Sequence, residues 1–188
     1  MSKTKKIICA VAAVVLVAVI SVVGTIAYLN SKASIKNVFT VGKVSIDFTE
    51  TGAVSGVNSY AYLPGDTITK DAVVTVDKSS EDAYVFVELK KDTLFASSFT
   101  YTMDETAAWK PLGGSYTNVY YVVYTKNTVS DTQYHVFKND QVVAGSNIST
   151  GAADTSVTIY TGAIQKGNLA SATAAWTALT NGTGTLVQ

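Results

Sequence analysis

Ile7–Val23 carries seventeen residues without a charge, apolar apart from Ser21, and a basic head of Lys3, Lys5 and Lys6 stands before it. A stretch of that kind cannot lie on the surface of a soluble domain, so it divides the chain before any fold is considered. Gly24-Thr25-Ile26-Ala27 follows. Small residues at the −3 and −1 positions, Thr25 and Ala27, with Tyr28 just beyond, complete the pattern of an export signal. The run approaches the roughly 20 residues that span a bilayer, which makes an uncleaved anchor the competing reading. Asn30, Ser31 and Lys32 close the apolar stretch directly after a sensible peptidase site, so removal of 1–27 is expected. The protein then reads as secreted, with the membrane a partner only of the precursor. Residues 28–188 remain as one domain, long enough to bury a sizeable core.

That domain keeps eleven lysines against fourteen acids and contains no arginine. Phosphate and base recognition lean on arginine and on a basic face, so nucleic acid is not an expected partner. The only cysteine, Cys9, lies inside the signal, and its neighbours Ile7 and Ile8 do not form a lipid-attachment box. Without a disulfide, stability must come from packing. Threonine, valine, tyrosine, alanine and serine dominate, and the two prolines are Pro64 and Pro111. β-branched and aromatic residues suit pleated, half-buried surfaces.

Alternation places the strands. Val44, Ile46 and Phe48 alternate with Ser45, Asp47 and Thr49. Leu63-Pro64-Gly65-Asp66 is a turn, with proline presetting φ and glycine tolerating positive φ. Ala72–Val76 is a second strand. Ala83–Leu89 is apolar on both faces and reads as a central strand covered on each side, ended by Lys90-Lys91. Phe95–Met103 and Val119–Thr125 are further strands, with Gly113-Gly114 turning between them. Tyr134–Phe137 and Gln141–Val143 read as a hairpin around Lys138-Asn139-Asp140, and Thr155–Thr161 is another alternation. Leu169, Ala172, Trp176 and Leu179 recur at helical spacing, with Asn168 to cap and Asn181-Gly182 to stop a helix over 168–180. The expected fold is all-β: a two-sheet antiparallel sandwich, jelly-roll-like, with one C-terminal amphipathic helix laying Trp176 on it.

Several segments carry a resemblance. Gly24-Thr25, Ala27-Tyr28-Leu29 and Phe39-Thr40-Val41-Gly42-Lys43-Val44 are followed by Leu63–Asp71 leading into Val73–Val76, and then by Glu81–Val87. Val157–Tyr160, Ala163-Ile164-Gln165 and Ala174-Ala175-Trp176 come later. In that order the chain resembles the TasA/camelysin family of secreted Gram-positive proteins, over about the first 90 residues and less closely over about the last 30. The resemblance implies processing by a dedicated, endoplasmic-reticulum-type signal peptidase, and self-assembly into matrix fibres by exchange of an N-terminal strand. It also brings a peptidase label.

The residues give that label nothing to rest on. A zinc peptidase of the usual kind needs two histidines one helical turn apart with a glutamate between them, and the chain has one histidine, His135, on a strand. Asp77, Glu81 and Asp82 form the nearest approach to a carboxylate metal site, yet read as a solvated loop lacking the glycine-spaced acids of a calcium loop. No Gly-x-Ser-x-Gly elbow occurs and no cysteine is free for a nucleophile. No catalytic, cofactor-binding or metal-ligating residue is expected, and the chain reads as a non-enzyme.

Beyond the cleavage site, Leu29, Ala33, Ile35, Phe39 and Val41 share one parity, while Asn30, Lys32, Ser34 and Lys36 fill most of the other. Residues 28–41 therefore read as a one-sided strand at a free chain end, able to complete its own sheet or to add to the open edge of another copy. Head-to-tail donation does not close on itself and builds filaments. Tyr120 and Tyr124, on one parity of their strand, are a second candidate contact patch, against ordinary cross-strand packing. The leading expectation is a structural subunit of extracellular or biofilm fibres whose partner is itself. A surface adhesin or binding module that does not polymerise comes second, and a camelysin-like peptidase third.

Overall fold

The computed structural model describes residues 2, 43–54, 56–148 and 154–186. The chain divides into two compact units, 1–40 and 41–188, and all described residues except Ser2 belong to the second. Among the described residues there are ten strands and two helices. The strands are β1 (Ile46–Thr49), β2 (Thr67–Thr69), β3 (Val73–Val76), β4 (Ala83–Lys91), β5 (Phe99–Met103), β6 (Lys110–Gly113), β7 (Tyr116–Tyr124), β8 (Thr132–His135), β9 (Phe137–Ala144) and β10 (Val157–Gln165). Helix α1 (Thr93–Ser98) joins β4 to β5, and α2 (Ala172–Leu179) follows β10. None of the described helices is long and apolar enough to cross a membrane.

All pairing is antiparallel, in three ladders ordered β1-β3-β8, β10-β4-β7-β6 and β2-β9-β5. The first and third ladders are halves of one layer. β2 runs into β3 across Lys70–Ala72, and β8 runs into β9 across Val136. Backbone bonds from Lys70 N–H to Asp140 C=O (2.6 Å) and from Val136 N–H to Ala72 C=O (2.9 Å) stitch the two breaks together. The expected two layers are thus present, one of them creased into two short ladders. Five connections cross between the layers, as a jelly-roll-like sandwich requires.

β4 is the axis because its sequence has no polar parity until Glu88. Ala83, Val85, Val87 and Leu89 enter the core between the layers, with Val74, Val76, Val122, Tyr124, Val136, Phe137 and Val142. Tyr84 and Phe86, on the opposite face, form a second cluster with Val119, Ala175, Trp176 and Leu186. The Trp176 ring lies 5.2 Å from that of Phe86 and 6.2 Å from that of Tyr116. Fully burying a side chain of this size contributes on the order of 2–3 kcal/mol. Helix α2 therefore covers the outside of the four-stranded ladder, as its apolar spacing indicates.

Four expectations are corrected. Phe95–Met103 is not a single strand: the Asp92 carboxylate accepts the Phe95 N–H at 2.7 Å and caps the short helix α1, with Phe95 stacked on Phe99 at 4.8 Å. Tyr134–Phe137 and Gln141–Val143 do not fold back on each other. Asn139 and Asp140 adopt φ of 54° and 55° inside β9 as a local kink, and the strand continues to pair with β2 and β5. The C-terminal helix is shorter than 168–180, because a turn from Lys166 to Leu169 occupies the expected start. Ser171, not Asn168, then supplies the cap, accepting the Ala174 N–H at 3.1 Å. Tyr124 is 1% exposed inside the core, and Tyr120 packs half-buried beside it, so the two rings form no surface patch.

Candidate functional site

Layer edges decide where another chain can add, and two of them meet on one side of this molecule. β10 pairs only with β4 among the described residues, and its nine residues, VTIYTGAIQ, include no charge and no proline. The parity of its hydrogen bonds follows from its ends: Lys166 N–H donates to Asp82 C=O (2.7 Å) and Asp92 N–H to Ser156 C=O (3.2 Å). Even-numbered residues thus bond β4, and the N–H and C=O groups of Val157, Ile159, Thr161 and Ala163 point away from it. The side chains of Val157, Ile159 and Ala163 rest half-buried on the main core.

β1 repeats this arrangement on the other layer. Asp77 N–H donates to Ser45 C=O at 3.0 Å, so odd residues bond β3 and the backbone groups of Ile46 and Phe48 face outward. Their side chains also rest half-buried on the same core. β1 and β10 touch, and between them they form an open flank. A strand entering it finds donors and acceptors that are unpaired among the described residues on both sides, with an apolar floor between.

The back of β10 is fixed. Gly162 sits where a Cβ would come within 2.9 Å of Leu186 Cδ2 and 3.0 Å of Leu179 Cδ2, so only glycine lets α2 and the following segment lie this close. Leu186 N–H donates to the buried Glu88 carboxylate at 2.8 Å, and the Lys90 ammonium lies 4.4 Å from the centre of the Tyr160 ring. These contacts pack the back of the edge strand against α2 and the segment that follows it.

Of the sequence-derived site residues, Thr25, Ala27 and Tyr28 at the cleavage site, and Leu29, Ala33, Ile35, Phe39 and Val41 of the donor strand, lie outside the described residues. His135 Nδ1 is 2.8 Å from Asp140 Oδ1. The three loop acids are separately engaged. Asp77 accepts the Ser79 N–H at 2.7 Å, Glu81 pairs with the Lys126 ammonium at 2.6 Å, and Asp82 accepts the Lys126 N–H at 2.8 Å. Among the described residues no three His, Cys, Asp or Glu side chains gather as a metal site.

One cluster escaped the sequence reading. Glu50, just past β1, lies with Asn58 and Tyr60 of the next loop and with Lys70, just past β2. The Lys70 ammonium is 2.8 Å from both Glu50 oxygens, and the side chains are 10% and 8% exposed. Burial raises the Glu50 pKa, but the hydrogen bonds from Lys70 and Tyr60 outweigh it and hold the carboxyl below its usual range. Burial and the Glu50 charge push the Tyr60 phenol far up. No short-range pattern marks residues that meet across twenty positions.

A family model described as camelysin metallo-endopeptidase matches residues 2–93, which include β1, β2, β3 and β4. No curated protein and no solved structure matches the chain. Over those residues the chain is similar to the camelysin family, which includes TasA.

Proposed function

We propose that this protein is a secreted structural subunit of extracellular, biofilm-type fibres, in which residues 28–41 of one copy fill the β1–β10 flank of the next. One observation carries the reading: a nine-residue edge with outward backbone groups, no charge and a half-buried apolar floor. An edge of that kind is an aggregation hazard unless something covers it. Fourteen residues reach roughly 46 Å when extended and the edge runs about 30 Å, so the donor is long enough. Its apolar parity, Leu29, Ala33, Ile35, Phe39 and Val41, would face the floor. Removal of 1–27 by a dedicated signal peptidase would free that strand, making the membrane a partner of the precursor only. The match to the camelysin family supports the location, since members of that family are extracellular or cell-surface proteins.

Electron microscopy and sedimentation of the protein beginning at Tyr28, with and without residues 28–40, test this. Fibres from the longer form alone support it; fibres from both overturn it. If the longer form stays monomeric and bound to a surface ligand, the non-polymerising adhesin is correct. The metallo-endopeptidase description is tested by casein cleavage with and without chelator. A non-enzymatic role fits a chain whose only histidine, His135, is already hydrogen-bonded to Asp140.

A further inference from the structure

The Glu50 cluster holds a second chemistry, independent of the assembly reading. Oε1 of Glu50 touches two nitrogens at once: Lys70 Nζ at 2.8 Å and Asn58 Nδ2 at 2.9 Å. Asn58 is held in place. Its Nδ2 lies 2.8 Å from the Thr51 carbonyl and 2.7 Å from the Tyr60 hydroxyl, and its Oδ1 rests against Gly52, which takes φ +85°. Lys70 is 8% exposed, with Nζ 5.3 Å from the centre of the Tyr60 ring. A buried primary amine and a half-buried carboxamide thus share one carboxylate.

We propose that Lys70 and Asn58 condense into an intramolecular isopeptide bond, with Glu50 as the catalytic proton carrier. Glu50 takes a proton from the Lys70 ammonium along their 2.8 Å hydrogen bond. The freed lone pair attacks Cγ of Asn58, and a bond forms between Nζ and Cγ. As the adduct collapses, the attacking nitrogen gives up its second proton to Nδ2 and the Cγ–Nδ2 bond breaks. The departing ammonia takes the proton from Glu50 and leaves as ammonium. A lysine ammonium and a carboxamide become a secondary amide and ammonium; the carboxylate is restored, and no oxidant or co-reactant is consumed. Proximity supplies what a bimolecular aminolysis in water lacks. The product ties the loop after β1 to the end of β2, a covalent staple in a chain whose one cysteine is Cys9.

Trypsin reads the bond directly. The cleavable residues around the cluster are Lys43, Lys70 and Lys78, so an unmodified chain releases Val44–Lys70 at its sequence mass. Condensation blocks cutting after Lys70 and gives Val44–Lys78 at about 17 Da below its sequence mass, the weight of lost ammonia. The full chain, folded at neutral pH and then denatured and digested, should yield that longer, lighter peptide. Val44–Lys70 at full mass overturns the proposal. So does a loss of about 17 Da in a peptide still cut after Lys70, which would mean ring closure at Asn58 alone. Glu50→Gln and Asn58→Ala should each restore Val44–Lys70 at its sequence mass. If Glu50→Gln keeps the lighter Val44–Lys78, the role given to Glu50 is wrong. The unsubstituted chain decides the bond itself, whether or not the variants fold.

Discussion

The two flanks of the sandwich are built to opposite rules. At β5 and β6 the backbone is irregular: bulges interrupt the ladders between Tyr101 and Met103 and between Pro111 and Gly113. Pro111 has no N–H to offer, Lys110 adds charge, and Gly113 and Gly114, at φ 80° and 59°, turn the chain sharply into β7. These are the usual devices that keep edges from pairing. At β10 none of them occurs, and β1 carries only the exposed Asp47. One edge is guarded and the other is long and uncharged along β10, and this contrast supports placing the proposed subunit contact at the second.

The strongest way to break that comparison is to close the open edge. Thr161→Pro removes an N–H that points away from β4, so it should abolish fibre formation, seen by electron microscopy, with little loss of pairing inside the monomer. Thr102→Lys on the guarded flank should leave fibres unchanged, and equal effects from both would end the distinction. Next in size is Trp176→Ala. It empties the cluster behind β4 and β10 and should cost about 3–5 kcal/mol in denaturant unfolding. Amide exchange should quicken in β10 before β5.

Gly162→Val forces side-chain atoms into Leu179 and Leu186 and should cost about 1–3 kcal/mol, while shifting β10 itself. Reduced fibre yield at temperatures where the monomer stays folded would show that the position of β10 matters to assembly. The smallest effect concerns Asp92, which touches both flanks. Its carboxylate caps α1 ahead of β5 and accepts Thr155 Oγ1 (2.7 Å) and Ser156 N–H at the start of β10. The Phe95 N–H, the Thr155 hydroxyl and the Ser156 N–H together lower its pKa to about 2. A depressed carboxylate stabilises the fold above its ordinary value of 3.8 and loses that contribution as pH falls through about 2. Melting temperature should therefore drop between those limits, and Asp92→Asn should flatten that part of the profile.

Where residues act within one strand or turn, the sequence was readable. Both faces of Ala83–Leu89 announced a covered strand. Trp176 stood at helical spacing from Leu169 and Leu179, and Leu63-Pro64-Gly65-Asp66 closed with the Asp66 N–H on the Leu63 carbonyl at 3.0 Å. Three-residue β2 and proline-bearing β6 were missed because neither is long enough, or free enough of breakers, to show a period of two. Phe95–Ser98 reads as the start of a strand that continues to Met103, and one capping carboxylate at Asp92 turns it into a helix instead. Tyr120 and Tyr124 illustrate the limit of parity: it said that they share a face but not which face was inside. For the candidate site, the β10 alternation was visible, whereas the approach of β1 to β10 across at least 107 intervening positions, and the meeting of Glu50, Asn58 and Lys70, depend on the fold.

The crease across the second layer has a mechanical consequence. Its strands break side by side at Lys70–Ala72 and at Val136, leaving ladders of three and four paired residues, while β10 and β4 pair over nine. Tension along the strands loads each ladder according to the bonds it can share, so the short ones yield in shear first while the long one holds. Stretched end to end, a subunit would lengthen at that fold line before it ruptured. A string of such subunits would behave as an extensible cord, absorbing strain without coming apart.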